Sequence, residues 1–209
     1  MAFTATTAVE LVAIGFGVGA FGTLIGAGGG FILTPILLLL YPHDSPQTIT
    51  AISLAVVFFN ALSGSTAYAR QRRIDYRSGV VFAVATLPGA VGGALYSLVV
   101  GFVSSFLGIG GGVIHVPLLV RALGFPTHIA TATSHFVLAV MSGVGALTHV
   151  AAGSFAHGRD VLRAAWISAG IVVGAQIGAH LSQRLHGKLI ERLLAAALLV
   201  LAARLIIAA

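Results

Sequence analysis

The sequence contains no cysteine, so neither disulfide bonds nor thiolate metal sites are available to it. Charged residues are also scarce: they make up 8% of the 209 residues, whereas hydrophobic residues make up 58%. A soluble domain carries roughly a quarter of its residues as charged side chains. The long charge-free runs that result predict an all-α, multi-pass membrane protein.

The formal net charge is +6, which by itself would suggest a nucleic-acid partner. The basic residues, however, lie in short segments between apolar runs, which is the pattern of the positive-inside rule. The densest cluster consists of Arg70, Arg72, Arg73 and Arg77. We therefore expect this cluster to be cytoplasmic, and we expect no nucleic-acid partner.

Glycine and proline are combined twice in the same pattern. Residues 26–35 read GAGGGFILTP and residues 108–117 read GIGGGVIHVP, each inside a long apolar run. Glycine opens backbone angles that other residues avoid, and proline interrupts a helix ladder. A single helix through 11–43 would be about 50 Å long, against a hydrocarbon core of about 30 Å. The sequence therefore predicts a broken helix in each copy, either a discontinuous span or a re-entrant hairpin.

The repeat extends beyond the glycines and indicates a duplicated unit, with residues 1–98 as the first repeat and 99–209 as the second. The second repeat ends in a fourth segment, 188–208, that the first repeat lacks, so seven segments are visible where eight are expected. We predict that about 40–60 residues are absent between roughly Tyr96 and Gly101. The matching positions are Ser53 with Ser134, Gly64 with Gly145, and Asp75 with Asp160.

The other apolar runs predict ordinary spans. Residues 184–192 are predicted to be a charged loop before the last span. Asp75 and Asp160 are predicted to cap the third span of each repeat, because a carboxylate accepts the free N–H groups of a helix start. The predicted spans are 48–69, 78–98, 101–120, 129–150, 161–183 and 193–209.

Two Gly-x-Gly-Gly-Gly-x4-Pro segments, each followed by an Ala-x-Ser helix at 51–53 and 132–134, resemble the sulfite exporter TauE/SafE family, also called the TSUP permeases. The resemblance covers nearly the whole chain. It implies a two-repeat bundle, usually of eight segments, that moves sulfite, sulfonates or related small anions as a proton-coupled secondary transporter. We expect a multi-pass protein of the bacterial plasma (inner) membrane, with no cofactor and no enzymatic activity.

The substrate is expected at the half-helices that begin after each glycine run. A helix N-terminus carries unpaired N–H donors and roughly half a positive charge, which suits a small anion. The alternative is that the glycines only permit close helix packing. Hydroxyl and amide groups on the helices after each motif are expected to complete the set of hydrogen-bond donors around the anion. The alternative is that each serine bonds its own i−4 carbonyl. The predicted binding residues are Gly28, Gly29, Gly30, Phe31, Ser53, Asn60, Gly110, Gly111, Gly112, Val113, Ser134 and Ser142.

His115 and His135 are predicted to carry the coupled proton. His115 lies inside the second glycine motif and His135 follows Ser134. Imidazole titrates near physiological pH, and an ionisable residue inside a membrane span is a functional hypothesis by default. The alternative is a histidine that is hydrogen-bonded within the bundle and never titrates.

Other functions remain open. A metal-cation permease could use the intramembrane histidines, but no span contains the acidic residues that hard cations prefer. An intramembrane metallohydrolase would need a paired base, and the His-Glu-x-x-His motif is absent from the sequence. A non-transporting membrane subunit is the third option. The expected partners are the lipid bilayer, a small anionic substrate and protons, and a homodimer is left open.

Overall fold

The computed structural model describes residues 4–84, 112–155 and 158–208, and the predicted absence between Tyr96 and Gly101 falls outside them. Throughout these ranges the regular structure is helical. The helices are α1 (Ala5–Ile25), α2 (Gly30–Leu40), α3 (Pro46–Arg70), α4 (76–84), α5 (Gly112–Arg121), α6 (Thr127–Ala151), α7 (Gly158–Arg184) and α8 (Gly187–Ala208).

Four of these helices, α1, α3, α6 and α7, are long and apolar enough to cross a membrane. Helices α2 and α5 have 11 and 10 residues, so at a rise of about 1.5 Å per residue each reaches about half-way through a bilayer. The prediction of an all-α membrane protein is thus confirmed.

Side-chain caps fix where two helices begin. The Ser45 hydroxyl accepts the N–H of Thr48 at 3.2 Å at the start of α3. The Asp75 carboxylate accepts the N–H groups of Arg77 and Ser78, at 3.1 and 3.3 Å, at the start of α4. Because these groups have no partner within their own helix, each cap stabilises the first turn. The predicted capping role of Asp75 is confirmed.

Two predicted spans, 161–183 and 193–209, begin later than the helices do. Asp160 lies inside the first turn of α7, which begins at Gly158, and its carboxylate pairs with Arg163 at 3.5 Å. The segment 184–192 is not a loop, because α8 already begins at Gly187. The Glu191 carboxylate in that helix accepts the Thr127 hydroxyl at 2.7 Å, so a charged side chain is accommodated there without a loop.

Helices α1 and α2 form a hairpin. Helix α1 runs parallel to α7, with Gly15 against Ile167 and Gly19 against Ile171. Helix α2 then runs back toward the start of α1. This direction follows from the buried cluster that contains both Leu37, near the end of α2, and Leu11, near the start of α1. The segment 11–43 therefore folds back, and both ends of the hairpin lie on one face of the bundle.

Helices α3 and α6 pack against each other in opposite directions. Gly64, late in α3, lies against His135, early in α6, and Phe58 lies against Gly143 further along α6. Helix α7 packs beside both α1 and α3. The glycine turn between α1 and α2 is thereby enclosed by long helices.

The two ends of the bundle are marked by different charged residues. Arg73, in the turn after α3, contacts His128 at the start of α6 and Ser182 at the end of α7. At the opposite end, Asp44 in the turn before α3 contacts Arg163 near the start of α7. If the arginine cluster is cytoplasmic, Asp44 and Thr4 lie outside.

This orientation is testable with single cysteines, since the native chain has none. We expect an impermeant thiol reagent added to intact cells to label His43→Cys and to leave Arg77→Cys unlabelled. Both side chains are exposed, so accessibility does not bias the comparison. Labelling of Arg77→Cys from outside, with His43→Cys protected, would reverse the orientation.

Close contact between α1 and α7 depends on glycine at specific positions. A Cβ added at Gly15 would lie 2.1 Å from the Ile167 carbonyl oxygen, whereas one added at Gly17 meets nothing within 4 Å. We expect Gly15→Ala to lower stability by about 1–3 kcal/mol, the usual cost of overpacking. Gly17→Ala, the matched control, should be neutral or slightly stabilising, because alanine favours helix over glycine. Thermal unfolding in detergent measures both, and equal stabilities would contradict the packing described.

Candidate functional site

The first glycine motif forms a tight turn between α1 and α2. Gly26, Gly28 and Gly29 have φ angles of 80°, 76° and 77°, in the left-handed region that side chains rarely adopt. A Cβ at Gly29 would also lie 2.9 Å from the Val18 carbonyl oxygen, a backbone atom that cannot readily move. Both the backbone angles and the lack of space therefore require glycine in this turn.

Side chains from both long central helices bind the turn. The Asn60 amide on α3 donates to the Gly28 carbonyl at 2.7 Å, and the Ser134 hydroxyl on α6 donates to the Gly26 carbonyl at 3.1 Å. Asn60 and Ser134 are fully buried. Two carbonyl groups that the turn removes from helical pairing thus find donors, as a low-dielectric interior requires.

A chain of hydrogen bonds leads from the turn to His135. Because the Asn60 nitrogen donates to a carbonyl, its Oδ1 is free to accept, and it accepts from the Thr23 hydroxyl at 2.9 Å. The Thr23 oxygen lies 3.2 Å from Nε2 of His135. Since the Thr23 proton is already used, the network assigns the imidazole proton to Nε2. Nδ1 of His135 is buried and has no hydrogen-bond partner among residues 4–84, 112–155 and 158–208.

The start of α2 has free donors. Gly29 precedes this helix and provides no side-chain cap, while its carbonyl accepts the N–H groups of Ile32 and Leu33. The N–H groups of Gly29, Gly30 and Phe31 have no acceptor in the part of the chain that the structure describes. All three residues are buried. Unpaired donors at a buried helix N-terminus are suited to an anionic or strongly polar group.

Two predicted site serines make contacts within the protein. Ser53 accepts the Thr34 hydroxyl of α2 at 2.9 Å, which places it beside the short helix. Ser142 donates to the Leu138 carbonyl at 2.6 Å, its own i−4 position. Ser142 would have to break that bond before donating to a substrate, so the contact favours the alternative stated for mid-span serines.

The second glycine motif is described only in part. Gly110, Gly111 and the side chain of His115 lie outside what the structure describes, while Gly112 and Val113 begin α5. Helix α5 approaches the first turn, because Val116 belongs to the buried cluster that contains Ile25 and Phe31. The second half-helix therefore contributes to the same buried cluster as the residues that flank the first glycine turn.

Sequence reasoning missed two polar residues of this site. Thr23 lies within α1, before the repeated motif, and Tyr68 lies on α3. The Tyr68 hydroxyl donates to the Thr23 carbonyl at 2.7 Å, and its ring packs edge-on against His135 at a centroid distance of 5.6 Å. Polarity inside an apolar run was the available signal. The offset of the glycine motif also aligns Thr23 with Ser105, and the offset that relates Ser53 to Ser134 aligns Tyr68 with His149.

An arginine stacked on a tyrosine lies at each end of the bundle. Arg73 donates to the His128 carbonyl at 2.9 Å and lies 4.9 Å from the Tyr68 ring centroid. Burial lowers the pKa of the Arg73 guanidinium, and the nearby Tyr68 phenol partly offsets this. At the other end, Arg163 pairs with Asp44 at 2.5 Å and lies 3.8 Å from the Tyr41 ring centroid. Arg73 thus connects the turn after α3 to α6, and Arg163 connects α7 to the turn before α3.

The buried network makes a prediction about stability. Asn60→Leu removes the hydrogen bonds to Gly28 and Thr23, so we expect the free energy of unfolding to fall by about 1–3 kcal/mol. Ser142→Ala is the control: it removes one bond internal to α6 and should change stability by less than about 0.5 kcal/mol. Thermal unfolding in detergent measures both, and an unaffected Asn60→Leu variant would contradict the network.

Comparison with known proteins identifies the family. The model of the family described as "Sulfite exporter TauE/SafE" matches residues 11–100 and 93–205, so the chain belongs to this family. Fold and family together define a membrane transporter of the TauE/SafE (TSUP) type, and the resemblance seen in the sequence is confirmed. No solved structure matches the chain.

Two relatives are similar along much of their length. The chain is 25% identical to the "Probable membrane transporter protein YunE" of Bacillus subtilis, covering 95% of this chain and 97% of the relative. It is 24% identical to the "Probable membrane transporter protein MJ0441" of Methanocaldococcus jannaschii, covering 69% of this chain and 73% of the relative.

These matches bear on the interior of the chain. The alignment with the Bacillus subtilis relative runs over 270 positions, whereas this chain has 209 residues, so part of the relative has no counterpart here. The two family matches meet at residues 93–100, close to where the sequence predicts the absent segment. That absence stays a prediction.

Proposed function

We propose that the chain is a proton-coupled secondary transporter for a small oxyanion, sulfite or an organosulfonate, in the bacterial plasma membrane. It acts as a permease without catalysing a reaction. The observation that carries the proposal is the buried start of α2, where the N–H groups of Gly29, Gly30 and Phe31 have no acceptor in the described part of the protein.

The donors at this helix start can bind an anion without a fixed charge. Three N–H groups and the positive end of the helix dipole attract an oxyanion. Asn60 and Ser134 donate hydrogen bonds to carbonyls of the turn and fix its conformation. The N–H donors are therefore already in position before an anion binds. A buried lysine or arginine would cost several kcal/mol and would bind the anion more tightly, which hinders release. Backbone donors therefore suit a substrate that must both enter and leave.

The two repeats would form the site together. Residues 1–98 and 99–209 each contain a half-length helix followed by a long one, α2 with α3 and α5 with α6. The antiparallel packing of α3 on α6 is the relation expected of repeats with inverted topology, which bind substrates at their interface. Gly110, Gly111, Gly112 and Val113 would provide donors from the second repeat as Gly29, Gly30 and Phe31 do from the first.

His135 supplies a proton site next to the anion site. Its imidazole is fully buried and is connected through Thr23 and Asn60 to the glycine turn. A proton added there would place a positive charge close to a bound anion, so the two would favour each other's binding. His115, near the start of α5, is the second candidate for this role.

The proposed substrate class is tested by flux into proteoliposomes. Sulfite, sulfate, methanesulfonate and divalent metal ions are offered separately, with protein-free liposomes as the control. We expect uptake of sulfite or methanesulfonate and none of the metal ions, because in the described ranges no three His, Asp or Glu side chains are grouped as a metal site. Uptake of divalent cations alone would replace the anion proposal with the cation-permease alternative.

Proton coupling predicts a specific loss in two variants. Glutamine retains an amide donor in place of imidazole but does not titrate near neutral pH. We expect His135→Gln or His115→Gln to abolish the change of anion flux between about pH 5 and 8, the range in which histidine titrates. The measurement is anion flux over this pH range in each variant. His43→Gln, in an exposed turn, is the matched control. Wild-type pH dependence in both site variants would remove histidine from the mechanism.

A further inference from the structure

We propose that Thr23 is a positioning residue that fixes the tautomer of His135 and connects this histidine to the glycine turn. The inference rests on the proposed function, because it assigns Thr23 a role in coupling the proton to the anion. Thr23 lies on α1, is fully buried, and bonds side chains from both central helices: Asn60 on α3 and His135 on α6.

The hydrogen bonds that connect Gly28, Asn60, Thr23 and His135 all take their direction from the Gly28 carbonyl. The Gly28 carbonyl can only accept, so the Asn60 nitrogen must face it and Oδ1 must face Thr23. The Thr23 hydroxyl has a single proton and gives it to Oδ1. Its lone pairs then face Nε2 of His135, which must carry a proton to bond at 3.2 Å. The opposite tautomer would place two lone pairs against each other.

This arrangement leaves Nδ1 as the place for the second proton. Nδ1 of His135 is buried without a hydrogen-bond partner in the described ranges. Protonation there would leave the bond from Nε2 to Thr23 in place and make it charge-assisted, which strengthens it. The hydrogen bonds from His135 through Thr23 and Asn60 to Gly28 would thus persist in both protonation states. The added charge would therefore stay at a fixed position relative to the glycine turn.

The surroundings of the imidazole contain few ionisable groups. Helix α1 contributes Thr23, and α3 contributes Gly64 and the titratable Tyr68, whose ring packs edge-on. The Arg73 guanidinium lies 4.9 Å from the centroid of that Tyr68 ring. The Tyr68 hydroxyl donates to the Thr23 carbonyl, so it restrains the backbone of Thr23 while the side chain serves His135. Thr23 is therefore held at both its side chain and its backbone.

The test compares three substitutions of one residue. Thr23→Val keeps the shape and removes the hydroxyl, Thr23→Ala removes it without adding a methyl group, and Thr23→Ser retains it. The first readout is the ¹⁵N chemical shifts of His135 in protein labelled with ¹⁵N-histidine, assigned by their absence from His135→Gln. We expect an Nε2–H imidazole in the wild type and in Thr23→Ser, and a mixture of tautomers in Thr23→Val and Thr23→Ala.

The second readout is the pH dependence of sulfite flux. Loss of one hydrogen bond to the charged imidazole should move the midpoint to lower pH by about 0.5–1 unit in Thr23→Val. Thr23→Ser should keep the wild-type midpoint. A residue that only fills space would leave the midpoint unchanged in Thr23→Val.

Each outcome decides the proposal separately from the transport function. An Nδ1–H imidazole in the wild type, or unchanged tautomers in Thr23→Val, overturns the role of Thr23 even if sulfite is transported. If the wild type transports no anion, the proposed function fails, while the ¹⁵N shifts still decide whether Thr23 fixes the tautomer. If both hydroxyl-free variants fail to fold, the tautomer of the wild type is the test: an Nε2–H imidazole supports the proposal and an Nδ1–H imidazole overturns it.

Discussion

The structure depends on satisfying the backbone of one turn inside a membrane. A helix break in an apolar environment removes N–H and carbonyl groups from their regular partners, and each unpaired group costs several kcal/mol there. Between α1 and α2 the carbonyls of Gly26 and Gly28 are paired by Ser134 and Asn60. The N–H groups that follow are not paired in this way within the described chain. This asymmetry between paired carbonyls and free donors is the basis for proposing an anion site.

The same requirement explains the arrangement of the polar residues. Buried hydroxyl and amide groups on α1, α3 and α6 converge on the turn, while most of the surrounding surface is aliphatic. The charged side chains lie at the two ends of the bundle instead, where Arg73 and Arg163 each stack on a tyrosine. Buried charges are costly, and moving them to the membrane surfaces leaves hydrogen bonds between neutral groups to hold the centre together.

Much of the fold could be predicted from the sequence. Charge-free runs of about twenty residues have few alternatives to spanning helices, and three glycines followed by a proline mark a break. Whether 11–43 crosses once or folds back could not be predicted, because it depends on packing between residues distant in the sequence, such as the buried cluster that contains both Leu11 and Leu37. For α8 the repeat comparison gives a start at 188, one residue from Gly187, whereas the charge pattern gives 193. The charge pattern fails because charged residues at a membrane surface can be helical when they are paired, as Glu191 is with Thr127.

The candidate site was predictable to the extent that it involves the repeat. The motif and its flanking polar residues, Asn60 and Ser134, do meet at one turn. Thr23 escaped notice because an isolated threonine in an apolar helix usually bonds its own backbone. Its role is visible only once α3 and α6 are folded against α1, since its partners are 37 and 112 residues away in the sequence.

The central claim is that the free N–H groups at the start of α2 bind the anion. The most direct measurement is the change in amide ¹H and ¹⁵N chemical shifts of labelled protein in detergent during titration with sulfite, at constant ionic strength. We expect saturable shifts at Gly29, Gly30 and Phe31, and smaller ones at Leu33, whose N–H already bonds the Gly29 carbonyl. Saturable shifts confined to the arginine-rich turn around Arg73, with the start of α2 unaffected, would contradict the claim.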